Sequence, residues 1–163
     1  VRAAELSLER LGNLRANIAR LGRRLPLVAA DASSPPFERF FDRVVVDLPC
    51  TGTGTLRKHP ELKWRVSPEE LGRLSEQAHN LLGGVAPLVR PGGLLVAITC
   101  SLEPEENEEV TAEFLAANPG FAPYELESAL EVPLREMITG PGSWQILPGG
   151  DHDGFTVQVL RRS

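Results

Sequence analysis

The sequence predicts an α/β fold of the doubly wound type, built around a mostly parallel sheet. Two short apolar runs, 43–47 and 94–99, have the composition of strands that are buried on both faces. A segment with helical periodicity lies between the runs and another follows the second run, and this alternation is typical of parallel α/β sheets. The chain has 163 residues, which is enough to bury the core of one domain.

The beginning of the chain predicts a helix followed by a strand. Ser7 is suited to cap the N-terminus of the helix, and Gly22 is suited to end it. Apolar residues recur between them at steps of three and four: Leu8, Leu11, Leu14, Ile18 and Leu21. Segment 26–30 is the predicted strand, closed by Asp31, and residues 33–36 (Ser-Ser-Pro-Pro) form a predicted surface loop.

The middle of the chain contains the strand 43–47 and a long helix. Pro49 ends the strand because proline lacks an N–H and restricts the preceding residue to extended geometry. Ser67 is the predicted N-cap of the helix, with a proline at the first helical position and Glu70 placed for a capping box. The two glycines at 83–84 predict close packing or a bend. The expected buried stripe consists of Leu71, Leu74, Ala78, Leu81, Val85 and Leu88.

The last part of the chain predicts a strand, a helix and then more strands. Residues 91–93 (Pro-Gly-Gly) predict a turn before the strand 94–99. A helix is expected to begin at Pro104, with glutamates near its positive end, and residues 118–120 (Asn-Pro-Gly) stop it. Loops rich in proline and glycine then join further strands, of which 155–160 is the last.

The composition excludes several classes of protein. Its 42% hydrophobic and 24% charged residues are ordinary for a soluble globular protein, and no apolar run approaches the ~20 residues of a membrane span. Two cysteines do not form a disulfide framework, and no Cys and His residues have zinc-site spacing. We therefore predict free thiols, no metal, no membrane partner and a cytoplasmic location. The net charge of -5 argues against general nucleic-acid binding but allows a local basic patch.

A cysteine follows each of the two apolar strands at its carboxyl end. Cys50 comes three residues after the first strand, and Cys100 comes directly after the second. Ligands of open α/β sheets collect at this edge, and neighbouring strands lie roughly 5 Å apart, so the two thiols could face one cleft. A single cysteine in this position is more often a buried structural residue, and that alternative stays open. The presence of two favours a site.

Two long motifs surround the cysteines and carry a resemblance to a known family. Residues 47–54 (Asp-Leu-Pro-Cys-Thr-Gly-Thr-Gly), with 57–64 (Arg-Lys-His-Pro-Glu-Leu-Lys-Trp), resemble the Pro-Cys motif of RNA cytosine-C5 methyltransferases. Residues 99–107 (Thr-Cys-Ser-Leu-Glu-Pro-Glu-Glu-Asn) resemble their Thr-Cys-Ser motif, and 153–155 (Asp-Gly-Phe) match the family as well. The bacterial sun/Fmu-type enzymes, which modify 16S ribosomal RNA, are the most similar branch. The resemblance extends over nearly the whole chain.

The resemblance implies a Rossmann-like methyltransferase domain that uses S-adenosylmethionine. Cys100 would be the nucleophile that adds to C6 of cytosine, and Cys50 would assist loss of the C5 proton and release of the enzyme. Covalent addition of a thiolate divides one difficult step into two easier ones. Asp47 would accept a hydrogen bond from the exocyclic amine of the base, with capping of the turn after its strand as the alternative role.

The same resemblance assigns residues to the cofactor and to the RNA. Glu5 would accept from the ribose hydroxyls, and Asp31 and Asp47 would also face the cofactor, although Asp31 could instead be a solvated loop acid. Ribosomal RNA is the implied partner, and its target base must leave its stack to be reached. Trp64 could stack on a base or be buried, and the histidine of the basic cluster could be a plain surface residue. The residues implied in substrate contact are Pro49, Arg57, Lys58, His59 and Lys63.

One part of the family pattern is missing. The first strand and its glycine-rich cofactor loop are expected before Glu5 and are not in this sequence. We therefore predict that residues 1–163 form the carboxyl-terminal major part of one catalytic domain, and that a longer natural chain or a second chain supplies the rest. Without it we expect neither tight cofactor binding nor turnover, because backbone groups would stay unpaired. The rival interpretation is a non-catalytic RNA-binding or assembly fragment, and a thiol hydrolase is a distant third.

Overall fold

The computed structural model describes residues 1–38 and 40–163 and shows an α/β architecture. Helices pack on two sheets, a two-stranded parallel one and a six-stranded one that contains both parallel and antiparallel pairs. The helices are α1 (Leu8–Arg20), α2 (Pro68–Val85), α3 (Glu108–Ala117) and the short α4 (Val132–Arg135). The strands are β1 (Ala3–Glu5), β2 (Leu27–Ala29), β3 (Phe41–Asp47), β4 (Val89–Thr99), β5 (Phe121–Pro123), β6 (Ile138–Gly140), β7 (Ser143–Ile146) and β8 (Phe155–Arg162).

The helix starts follow the predicted caps. The Ser7 hydroxyl accepts from the Arg10 backbone N–H at 3.3 Å, and the Ser67 hydroxyl accepts from the Glu70 N–H at 3.2 Å, which satisfies one free donor at each helix N-terminus. The predicted capping box at α2 is only half formed. The Glu70 carboxylate binds the Arg73 guanidinium instead, in a pair three residues apart on the helix surface.

The sheet confirms the Rossmann-like α/β class and is mixed in direction. Parallel pairs join β1 to β2 and β3 to β4. Strand β8 pairs antiparallel with β4, β5 and β7, and β6 continues the sheet beyond β7. The two strands that lead to the cysteines, β3 and β4, are therefore a parallel pair, and the antiparallel strands extend the sheet on the other side of β4.

A gap separates the β1–β2 pair from the larger sheet. Within the described residues, β1 pairs only with β2, and β3 pairs only with β4. The cavity between them has a volume of about 1450 Å³ and is lined by residues 1–7 on one side and 41–49, apart from Asp42, on the other. Val45, in the middle of β3, is 62% exposed. The edge of β3 that faces the gap is thus an unpaired strand edge.

The core lies between the helices α2 and α3 and the strands β3, β4 and β8. Leu74, Ala78, Leu82 and Val85 form the buried face of α2, and Leu82 and Phe114 are fully buried. Leu82 was not in the predicted stripe, whereas Leu71 and Leu81, which were, are only half-buried. The close packing predicted at 83–84 is confirmed at Gly84, where a Cβ would lie 2.4 Å from a backbone carbonyl oxygen of the loop after β2.

Two predicted boundaries are wrong. Residues 91–93 do not form a separate turn, because β4 already begins at Val89 and contains them as an irregularity of its pairing with β3. Gly92 accommodates the irregularity with a φ of +75°, which glycine adopts without strain. The segment that begins at Pro104 is first a short 3-10 turn, 104–106, and α3 starts two residues later. None of the helices in the described part of the chain is long and apolar enough to cross a membrane.

Candidate active site

The two cysteine thiols lie in contact at the carboxyl edge of the parallel strands. Strands β3 and β4 pair in register, with Asp47 opposite Ile98, so that the residues following each strand end share one side of the sheet. The Sγ atoms of Cys50 and Cys100 are 3.3 Å apart, within hydrogen-bond distance for sulfur, and both residues are only partly buried. The predicted meeting of the two thiols at one sheet edge is confirmed.

The contact makes the two thiols chemically different. The hydrogen bond from the Cys50 thiol lowers the pKa of Cys100 to about 7, against burial and the negative charges of Asp47 and Glu106. The same hydrogen bond, together with burial, raises the pKa of Cys50. A thiolate is the nucleophilic form of cysteine, and a pKa near neutrality makes it abundant. Cys100 is therefore the thiol that ionises more readily, and Cys50 is the one that keeps its proton.

The loops that carry the cysteines are joined through glycine backbones. The Gly54 N–H donates to the Cys100 carbonyl at 2.9 Å, and the Gly154 N–H donates to the Gly54 carbonyl at 2.8 Å. A Cβ on Gly54 would lie 2.4 Å from the Gly154 oxygen and 2.9 Å from the Cys100 oxygen. Only glycine permits this close approach. Gly52, with a φ of +77°, makes the turn that brings the first loop back towards Cys100.

Buried hydroxyl and amide groups fix the loop after Cys100. The Thr99 hydroxyl donates to Asn107 Oδ1 at 2.6 Å, and Asn107 Nδ2 donates to the carbonyl oxygens of Ser101 and Glu103. The Ser101 hydroxyl is 3.2 Å from that of Thr53 in the first loop. These polar side chains are buried and satisfied, so the network holds the loop in one geometry. The two sequence motifs contain these residues, but no local pattern indicates this role.

A buried carboxylate links the two loops and was also missed. Glu106 is 2% exposed and accepts two hydrogen bonds from Thr51, from its N–H at 2.7 Å and from its hydroxyl at 2.6 Å. From the sequence, Glu106 is expected among the glutamates near the positive end of a helix. Its closeness in sequence to Cys100 was the available signal, but its partner lies 55 residues away.

The three acids predicted for the cofactor line one cavity. Glu5, Asp31 and Asp47 all face the cavity between β1 and β3, and Pro49 lines it as well. Burial raises the pKa of Asp47, opposed by the charge of Arg10 and reinforced by that of Glu5. Hydrogen bonds from the Ser33 N–H and hydroxyl lower the pKa of Asp31. Carboxylate acceptors at the ends of three strands fit the hydroxyl and amine donors of a nucleoside.

The predicted basic cluster lies on the loop after the first cysteine. Lys58 Nζ is 2.6 Å from Asp153 Oδ2, and Arg57 lies 3.8 Å from the other oxygen of the same carboxylate. His59 contacts Glu61 at 3.3 Å, also at the surface. Trp64 is not buried: it is 79% exposed, and Lys63 Nζ lies 4.7 Å from its ring centre. These residues do not line the cavity of the acids.

The described residues offer no cluster of three or more His, Cys, Asp or Glu side chains that could hold a metal ion. His152, which lies between two aspartates in the sequence, has its Nδ1 near the Asp153 carbonyl oxygen at 3.4 Å. The side-chain contacts of the site involve sulfur, hydroxyl, carboxylate and amide groups.

The chain is similar to several known methyltransferases. Ribosomal RNA small subunit methyltransferase B of Salmonella newport is 35% identical over 98% of this chain, which spans 36% of that protein. The crystal structure of NSun6 from Pyrococcus horikoshii with SFG has a TM-score of 0.79 and 26% identity, over 98% of this chain and 40% of its own. A methyltransferase homologue from Pyrococcus horikoshii, 24% identical over 99% of this chain and 53% of its own, supports the fold with a TM-score of 0.72.

A family model described as 16S rRNA methyltransferase RsmB/F matches residues 1–161. The resemblance found in the sequence motifs is thereby confirmed, and so is the Rossmann-like methyltransferase fold. S-adenosylmethionine as the cofactor of this family is confirmed too, and the acids lining the cavity fit its nucleoside. The chain therefore belongs to the RsmB/F family of 16S rRNA methyltransferases.

Proposed function

We propose that this chain is the carboxyl-terminal major part of the catalytic domain of an enzyme that methylates C5 of cytosine in 16S-type ribosomal RNA. The observation that carries the proposal is the thiol pair, in which Cys50 donates to Cys100 across 3.3 Å and lowers the pKa of Cys100 to about 7. C5 of cytosine is a poor nucleophile, and addition of a thiolate at C6 makes it electron-rich. The reaction thus needs the one group that this contact activates.

In the proposed mechanism Cys100 begins and ends the covalent cycle. Its sulfur forms a bond to C6, and the electron pair of the C5=C6 bond becomes available at C5. When bound, S-adenosylmethionine supplies the methyl group from its positively charged sulfur. Loss of the C5 proton returns the electron pair to the C5=C6 bond, and the bond between C6 and sulfur breaks, so that Cys100 leaves as the thiolate.

Cys50 is proposed to serve the second half of this cycle. The main cause of its raised pKa is the hydrogen bond to Cys100. That cause disappears when the Cys100 sulfur becomes a neutral thioether, and the Cys50 thiol can then lose its proton more easily. A thiolate of Cys50 beside the adduct is a base for the C5 proton. Burial, the second cause of the raised pKa, stays and strengthens that base.

The base and the cofactor are proposed to meet in the cavity beside β3. Asp47 would accept from the exocyclic amine of cytosine, and Pro49 would line the substrate side next to it. Glu5 would accept from the ribose hydroxyls of the cofactor, with Asp31 at its adenosine end. Since Asp47 stands at the end of β3 and Cys50 follows three residues later, both ligands would lie within reach of the thiols.

The RNA backbone is proposed to lie along the loop after Cys50. Arg57, Lys58, His59 and Lys63 are exposed there, and positive side chains position phosphates without reading sequence. The exposed Trp64 ring beside Lys63 offers a face for an unpaired base. Because Arg57 and Lys58 share Asp153, we expect Lys63 to contribute more to phosphate binding than either of them.

A further segment is proposed to fill the gap between β1 and β3. The two strand edges that line the cavity are unpaired within the described residues, and a further strand between them would pair their backbone groups. The segment would come from the same protein or from a second chain. We propose that the protein acts in the cytoplasm, since ribosomal RNA is found there and the thiols must stay reduced.

Two cysteine variants test the proposal, made in the natural full-length gene product and mixed with substrate RNA and S-adenosylmethionine. Cys50→Ala should accumulate a covalent protein–RNA adduct, visible as a band that resists denaturation, whereas Cys100→Ala should form none. The reverse pattern would exchange the two roles. Specific RNA binding with no methylation by the unaltered protein would instead favour the non-catalytic RNA-binding or assembly role.

A further inference from the structure

The buried carboxylate of Glu106 connects the two cysteine loops at one point. It accepts hydrogen bonds from the N–H and the hydroxyl of Thr51, the residue that follows Cys50. Glu106 is 2% exposed, and in the part of the chain described it forms no ion pair with a Lys, Arg or His. Ionised groups are rarely buried without a charged partner, because burial disfavours the charge. The partners found for this carboxylate are the backbone N–H and the hydroxyl of Thr51.

Glu106 is itself fixed to the strand that carries Cys100. It ends the 3-10 turn 104–106, and its N–H donates to the Glu103 carbonyl at 3.1 Å. The next residue, Asn107, binds the carbonyl oxygens of Ser101 and Glu103. The backbone that carries the carboxylate is therefore held by contacts within the Cys100 loop, and among the described residues the carboxylate itself reaches the other loop through Thr51.

The loops that carry the two cysteines are held by different contacts. The Cys100 loop has its own anchors in Thr99, Ser101 and Asn107, none of which needs the carboxylate. The backbone directly after Cys50 is held by Glu106 at Thr51, and its next cross-loop contacts come at residues 53 and 54. Removing the carboxylate should therefore move Cys50 more than Cys100.

We propose that Glu106 is a positioning residue, which sets the place of the Cys50 sulfur against Cys100 and thereby controls release of the methylated base. The inference rests on the proposed function and adds a residue to it. Glu106 does not touch the reacting atoms, and it acts through Thr51. A displacement of about 1 Å at a reacting group can lower a rate on the order of 100-fold.

The test uses Glu106→Gln in the natural full-length gene product, with Glu105→Gln as the matched control. Glu105 lies on the same turn and is exposed, and its replacement removes the same charge. Glu106→Gln should turn over on the order of 10–100-fold more slowly and accumulate the covalent RNA adduct, as Cys50→Ala does. The pH midpoint for alkylation of Cys100 should also rise, because the Cys50 hydrogen bond that lowers it is weakened. Glu105→Gln should match the unaltered protein in all three.

A second variant approaches the same contact from the other loop. Thr51→Val removes the hydroxyl donor and keeps the backbone N–H, so it should change turnover, adduct yield and the Cys100 midpoint in the same direction but by less. Thr51→Ser, which keeps the hydroxyl, should match the unaltered protein. If Glu106→Gln does not fold, this pair decides the question alone. A lower melting temperature with normal adduct yield and a normal Cys100 midpoint would assign Glu106 a structural role only, and overturn the inference.

Cys50→Ala, measured in parallel, distinguishes the failure of this inference from failure of the proposed function. If Cys50→Ala accumulates adduct and Glu106→Gln and Thr51→Val do not, the proposed function stands and Glu106 has no positioning role. If Cys50→Ala forms no adduct either, the proposed division of labour between the cysteines is wrong, and the inference that rests on it falls with it.

Discussion

Replacing Cys50 with alanine should raise the pKa of Cys100 by about two units. The first cause of the low value, about 7, is the hydrogen bond from Cys50, and burial and two negative charges already oppose it. Without the donor the value should return to the ordinary 9.0 or above. The thiolate fraction of Cys100 at pH 7 then falls from about one half to about 1%.

Alkylation by iodoacetamide, followed at the Cys100 peptide by mass spectrometry between pH 5 and 10, measures this change. The roughly 50-fold loss of thiolate is partly offset, because a thiolate of pKa 9 is about eightfold more nucleophilic than one of pKa 7. The rate at pH 7 should therefore fall only about sixfold, whereas the midpoint moves up by about two pH units. Cys50→Ser, which keeps a hydrogen-bond donor, should shift the midpoint less. An unchanged midpoint in Cys50→Ala would refute activation by the contact.

Other changes test the packing and the surface charges. Gly54→Ala should lower the melting temperature, because the added Cβ would lie 2.4 Å from a backbone oxygen of the facing loop. Gly83→Ala, whose Cβ would meet nothing within 4 Å, should not lower it. Equal effects of the two substitutions would contradict the close approach at Gly54. Leu82→Ala should lower the free energy of unfolding in urea by about 2–5 kcal/mol, since the side chain is 0% exposed, and a loss well under 1 kcal/mol would place Leu82 outside the core. Lys63→Ala should reduce the salt dependence of RNA binding, measured as the slope of log K against log salt concentration, by about one unit. Lys58→Ala should reduce it by less, because Lys58 is already in an ion pair with Asp153. Equal reductions would count against that pairing.

Features fixed by near neighbours could be predicted from the sequence. Ser67 and the proline after it determine where α2 begins, and Ser7 does the same for α1. The contact between Cys50 and Cys100 followed from one topological expectation, that both strands end at the same edge of a parallel sheet. The acids that line the cavity were assigned from the family resemblance.

Features that depend on distant parts of the chain could not be predicted. Glu106 binds a threonine 55 residues away, and no local pattern distinguishes it from the exposed glutamates beside it. The antiparallel direction of β8 is set by pairing with β4, not by its own composition. Trp64 follows Lys63 on a 3-10 turn, where periodicity does not decide between burial and exposure. The Pro-Gly-Gly at 91–93 has turn composition, and it lies in β4 where the pairing with β3 shifts register and leaves these residues without a partner.

The open edge of β3 has a consequence for handling the protein. Among the described residues nothing pairs with this edge, and an exposed valine stands near its centre, so that the strand is a template on which another extended segment can add. Preparations in which nothing covers this edge should self-associate through it and precipitate as the concentration rises. Peptides able to extend the sheet there should keep the protein dispersed.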